Sequence, residues 1–186
     1  MKLNRLLAAT ALVAATATAS FADDMSNPAV GGAPMYANKN IIENAVNSPI
    51  NTTLVAAVKA AGLVDTLQGP GPFTVFAPTD DAFAALPAGT VDNLLKPENK
   101  DMLVKVLTCH VLGADAMSSD VAAMIKADGG SHEVTTLGGC KLTLAMDGDT
   151  LTVTDENGNV AHVTIADVKQ SNGVIHVIDK VLLPKM

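Results

Sequence analysis

Two apolar segments, residues 73–83 and 173–184, constrain the fold of this 186-residue chain more than any other feature. In the first, Phe73, Val75 and Phe76 make a strand-like run, Pro78 marks a boundary and Thr79 opens a helix. The Thr79 hydroxyl can cap amides of the first turn, and Asp80 and Asp81 suit the positive end of the helix dipole. The second segment is apolar at nearly every position and rich in β-branched residues, yet too short to span a bilayer. A strand buried on both faces fits it best.

Residues 1–22 carry Lys2 and Arg5 ahead of an uncharged Ala/Leu/Val run. They end on Ser20, Phe21 and Ala22, with small residues at both positions that a signal peptidase reads. The pattern predicts a cleaved signal peptide and an exported product, periplasmic or extracellular. A transmembrane anchor fits less well, because the run is short and its second half is rich in Ala and Thr. Removing the segment leaves 10 basic residues against 19 acidic ones. That acidity disfavours phosphate backbones and anionic membranes, so neither nucleic-acid binding nor membrane insertion is expected. Cys109 and Cys140 are the only cysteines. An even pair in an exported chain favours a disulfide over a reactive thiol or half of a metal site.

Residues 23–39 are rich in Asn, Gly, Pro and small side chains and show no apolar period, which reads as a flexible leader. One domain, residues 40–186, is expected to follow. Asn40 and Glu43 have the spacing of a capping box. Thr52 or Thr53 opens a second helix with Leu54, Val55, Val58 and Ala61 on one face, stopped by Gly62. Further helical spacing runs from Thr90 to Leu95, from Pro97 to Leu107 and from Ser119 to Lys126, with a strand over residues 109–112. From Ser131 onward the apolar period becomes two, and Gly138-Gly139, Asp147-Gly148 and Asn157-Gly158 punctuate a meander of strands. Leu142, Leu144 and Met146 share one face of it, as do Leu151 with Val153, and Ala161 with Val163 and Ile165.

Taken together, the two apolar segments resemble the signature blocks of the fasciclin (FAS1) family. The first match is carried by Thr74, Val75, Phe76, Ala77, Pro78, Thr79, Asp80 and Phe83. The second is carried by Gly173, Ile175, His176, Ile178, Asp179, Leu182 and Pro184. Between them the family usually has a Tyr-His pair, and here Cys109 precedes His110. The resemblance covers residues 40–183 and implies an α+β fold: a FAS1-like β-sandwich wedge with several short helices packed along it.

Candidate chemistry is sparse. Asp80 and Asp81 are helix neighbours that point about 100° apart and do not converge on one substrate atom. His110, His132, His162 and His176 lack zinc spacing, so no metal is expected. His110 and His176 sit inside apolar runs and read as buried, hydrogen-bonded core residues. Residues 155–159 begin like a calcium loop, but a strand follows and the twelfth position is not Glu, so a hairpin turn explains them better. Asn51 begins a glycosylation sequon whose threonines also suit a helix cap. Asn99, Lys100, Asp101, Met102 and Leu103 are similar to the Asn-Lys-Asp-Ile-Leu stretch associated with integrin binding in animal members of the family. The same residues suit a helix start, with Met102 and Leu103 on its buried face.

These features predict a non-catalytic, exported interaction module without a cofactor, mediating cell adhesion or attachment to a surface or matrix. Its partner would be a cell-surface or matrix protein or glycan, and the chain is expected to act as a monomer, with Lys141 and Lys169 discouraging edge pairing. The alternative is a carrier of an apolar small molecule, a carotenoid or lipid, held between sandwich and helices, as the resemblance implies for some members.

Overall fold

The computed structural model describes residues 27–185. Three short helices come first: α1 (Ile41–Ala45), α2 (Thr52–Ala61) and α3 (Val64–Gln68). Strand β1 (Phe73–Pro78) leads through Thr79 into α4 (Asp80–Ala84), followed by α5 (Thr90–Leu94), a 3-10 turn over Pro97–Asn99 and α6 (Lys100–Thr108). After β2 (Val111–Leu112) and α7 (Ser118–Ala127) comes the meander: β3 (Ser131–Thr135), β4 (Lys141–Asp147), β5 (Thr150–Thr154), β6 (Val160–Gln170) and β7 (Gly173–Ile178).

The seven strands run in the order β2-β1-β7-β6-β5-β4-β3. All neighbours are antiparallel except β1 and β7, the two signature strands, which pair parallel from Phe73↔Gly173 to Pro78↔Ile178. Strand β6 makes the sandwich. Its first residues pair with β5 and its later ones with β7, and the register slips between Val163 and Ile165 and again between Ile165 and Val168. Bulges bend and twist a strand, so β6 turns the mixed sheet back on itself into a nearly closed sandwich. The Leu137 amide reaches the Val111 carbonyl at 2.8 Å, drawing the β3–β4 turn toward the opposite edge strand β2.

Burial on both faces explains the apolar signature blocks. Val75 and Ala77 of β1 and Ile175 and Val177 of β7 face the helices, against Leu54, Val58, Leu103 and Leu107. Phe76 and Ile178 point the other way, into the sandwich with Leu142, Leu144, Val153 and Val163. Gly173 opens β7 at φ +154°, where an added Cβ would lie 1.9 Å from the Phe73 carbonyl oxygen. Only glycine lets the two backbones approach this closely.

Several expectations require correction. The leader expected over residues 23–39 is packed where it is described. Val30 and Met35 are each only 3% exposed, Val30 and Ala33 exchange backbone hydrogen bonds, and the Asn44 side chain bonds both backbone groups of Tyr36. Too few apolar residues lie there to make a period, but those present enter the helix-side core. The expected signal peptide and residues 23–26 lie outside the described residues. Met146 is exposed rather than sharing the buried face of Leu142 and Leu144, because β4 runs beyond the core at its end. Lys141 and Lys169 lie on β4 and β6, which are interior strands, and the edges are β2 and β3.

Candidate functional site

Local chemistry explains most signature side chains as structure. Thr79 caps α4 by accepting the Ala82 amide at 3.2 Å. Asp80 does not serve α4 alone. Its carboxylate accepts the Thr53 amide at 2.7 Å, the Thr52 hydroxyl at 2.8 Å and the Thr52 amide at 3.3 Å, so it caps α2 from 27 residues away in sequence. The Thr52 or Thr53 cap expected from sequence is absent, since Asn51 precedes the helix without a side-chain cap bond. Asn51 is instead buried, donating to the Pro78 carbonyl at 2.8 Å and accepting from the Ser48 hydroxyl at 2.7 Å, which excludes a glycan from the folded chain. Asp179 accepts the His162 amide at 2.7 Å and lies 3.1 Å from its Nδ1.

The two signature histidines are almost wholly enclosed, His110 at 2% and His176 at 0% exposure. Their tautomers follow from their partners. His110 Nδ1 donates to the Val106 carbonyl at 2.7 Å, and its Nε2 accepts the Leu182 amide at 2.9 Å. In His176 the roles reverse: Nε2 donates to the Ala116 carbonyl at 2.8 Å and Nδ1 accepts the Asp167 amide at 3.2 Å. Burial pushes His110 down to about 4 despite its Val106 bond and the charge of Asp155, and burial likewise lowers His176. Both rings are neutral at pH 7 and both nitrogens of each are occupied, so neither is free to act on a substrate.

Cys109 and Cys140 form the expected disulfide. Both are buried, their Cα atoms are 5.3 Å apart, and the bond ties the end of α6 to the start of β4. Asp155 is buried at the β5–β6 turn, where its oxygens accept the Asn157 and Asn159 amides, the Asn159 side chain and the Leu183 amide, all within 3.0 Å. These bonds build the hairpin turn and use the lone pairs a calcium ion would need. Among the described residues no three His, Cys, Asp or Glu side chains gather as a metal site.

Among the described residues, two hollows that border the helices stand out. The inner one, between α1–α3 and the β1/β7 face, is lined by Ile41, Leu54, Val58, Leu67 and Ile175 and holds ≈ 40 Å³, space on the order of a single water. The outer one is a groove of ≈ 420 Å³ between α5, α6, the β5–β6 turn and the C-terminal residues. Leu94, Met102, Val106, Leu183 and Pro184 make its apolar walls, with Thr90, Asn157 and Asn159 as polar members. Its volume lies in the usual range for a ligand or side-chain pocket.

The groove divides the Asn99–Leu103 stretch. Leu103 is buried in the helix-side core, whereas Met102 is 45% exposed on the groove wall, correcting the expectation that both share a buried face. Asn99 donates to the Asn93 carbonyl at 2.7 Å, and Lys100 and Asp101 point to solvent. The second wall, residues 179–185, is a strap without regular structure held by side chains from elsewhere. Besides His110 on Leu182 and Asp155 on Leu183, Asn157 donates to the Leu183 and Pro184 carbonyls, and Glu156 accepts the Lys185 amide at 2.9 Å. The groove and the strap's anchors Asp155, Glu156 and Asn157 escape sequence reasoning, because they join residues more than 25 positions apart and carry only a turn signal locally.

Residues 50–184 match the family model of the fasciclin domain, and the chain belongs to that family. It is 53% identical over 146 residues to Protein sll1483 of Synechocystis sp., covering 78% of this chain and 74% of that one. It is 34% identical to the cell surface glycolipoprotein MPB83 of Mycobacterium bovis, covering 95% and 81% respectively. The fold matches a solved FAS1 domain pair from the insect cell adhesion molecule Fasciclin I at a TM-score of 0.68. That match has 20% identity and covers 78% of this chain and 51% of the other.

Proposed function

We propose that this fasciclin-domain chain is an exported, non-catalytic attachment module, a single monomeric domain that contacts a cell-surface or matrix protein or glycan through the groove beside α6. The observation that carries the reading is the placement of exposed Met102 opposite Leu183 and Pro184 across that groove. An exposed apolar side chain on a polar-rimmed concavity is the usual anatomy of a recognition site. The rigid sandwich beneath it fixes its shape, as loops and helix faces on a scaffold do in other binding proteins. The neutral, fully bonded histidines support a binding role over a catalytic one. Relatives described as a cell surface glycolipoprotein and a cell adhesion molecule support export and attachment.

The carrier reading places a carotenoid or lipid between sandwich and helices, where the inner hollow of ≈ 40 Å³ is far too small for either. The test of the attachment reading is deletion in the producing cell. Surface attachment is expected to fall and to return when the chain is restored; attachment unchanged under several growth conditions contradicts it.

A further inference from the structure

We infer that residues 179–185 form an acid-sensitive strap: protonation of buried His110 releases the Leu182 amide and loosens the wall that Leu183 and Pro184 give the groove. The inference rests on the groove reading for its functional meaning and on geometry for its mechanism. His110 stands between α6 and the strap, donating through Nδ1 to Val106 and accepting through Nε2 from Leu182. Because Nδ1 is already the donor, a second proton has only Nε2 to occupy. It would convert the acceptor of the Leu182 amide into a donor facing that amide, so one hydrogen bond is lost and a charge is buried.

Nothing in regular secondary structure replaces that contact. Beyond β7 the strap's polar anchors are His110, Asp155, Asn157, Glu156 and the Asp179–His162 contact, beside the buried side chains of Val181 and Leu182. The ring of His110 bonds Val106 of α6 and Leu182 of the strap, and its carbonyl accepts the Phe76 amide of β1, none of which titrates; it also borders the inner hollow, where Lys59 of α2 is exposed at the rim. The charge acting on the ring is Asp155, from the β5–β6 turn. The strap's own cations, Lys180 and Lys185, are exposed. Asp155 favours the protonated ring, but burial dominates and holds His110 near 4. In an opened strap water reaches the ring and its ordinary value near 6.5 returns. Acid therefore favours the open form throughout the interval between the two values. His176, the other buried histidine, accepts the Asp167 amide through Nδ1, so its protonation breaks that bond in β6, keeps the Nε2 bond to Ala116 and leaves the strap's own bonds in place.

Residue-resolved amide hydrogen exchange on the processed full-length chain at pH 7, 5 and 4, corrected for the intrinsic rate, tests this directly. Linkage predicts that opening at Leu182, Leu183 and Lys185 rises on the order of tenfold by pH 5 and further by pH 4. Val75 and Val177 in the paired signature strands should stay protected. In His110→Gln, which has no proton to gain, the step should vanish. Strap protection unchanged down to pH 4 overturns the inference, as does a step that persists in His110→Gln or one that β1 and β7 share. If that variant does not fold, the wild-type comparison of strap with strands decides alone. Because exchange is read without any partner, a strap that loosens while Met102→Glu leaves attachment intact overturns the function reading only.

Discussion

Asp80, the first residue of α4, caps the neighbouring helix through Thr53, whose amide it accepts at 2.7 Å. One side chain thereby fastens the strand-to-helix corner of the first signature block to α2. Burial tends to raise this carboxyl, but the hydrogen bonds from Thr53 and Thr52 outweigh it and hold it below its ordinary value. The stabilisation is therefore present above the ordinary carboxylate range and is lost as pH falls through the lowered value of the folded state. Replacement by Ala leaves the α2 amides uncapped, and Asp80→Ala is expected to cost about 1 to 2 kcal/mol in urea unfolding at pH 7.

Gly173→Ala tests the parallel pairing of the two blocks. The new Cβ would stand 1.9 Å from the Phe73 carbonyl oxygen, a backbone atom that cannot swing aside, at a φ that L side chains rarely adopt. The loss should be about 3 kcal/mol or more, among the largest single-site effects. Thermal unfolding checks it, and a variant with wild-type Tm contradicts the close approach.

His110 makes stability depend on pH. Its folded value near 4 lies below its ordinary value of 6.5, so the unfolded chain binds the extra proton first. Stability is complete above 6.5 and falls as pH drops toward 4, by about 3 kcal/mol in all. His176 is lowered too and acts in the same direction. Urea midpoints at pH 7 and 4.5 measure the fall, and His110→Gln should flatten it.

The disulfide closes a loop across 31 residues. Removing it by Cys109→Ser with Cys140→Ser is expected to cost about 3 to 4 kcal/mol, because the unfolded chain regains the freedom that the bond removes. Denaturation with and without reductant should give the wild type two midpoints and the double variant one.

What was legible in the sequence is what local chemistry dictates. The Asn40–Glu43 capping box, the Thr79 cap and the turns at Asp147-Gly148 and Asn157-Gly158 stand where short-range pattern places them. Apolarity on both faces of β1 and β7 reported their interior place in the sheet. The bend in β6 was not legible, because a bulge is an extra residue relative to the partner strand, here β7, and exists only once the two are paired. Nor was the packing of Val30 and Met35, since isolated apolar residues have no period and acquire a role only when a core meets them. Met102 shows the limit most clearly: helical spacing places it beside buried Leu103, but whether that face is covered depends on α5 and the strap.

The central claim is that the groove beside α6 makes the contact, and surface attachment by cells carrying Met102→Glu measures it most directly. The side chain is exposed, so the fold and Tm should be kept. The account predicts attachment reduced to the level of the deletion strain. Met146→Glu, an equally conservative test at an exposed methionine on β4 outside the groove, should attach like wild type. Wild-type attachment by Met102→Glu would contradict the account.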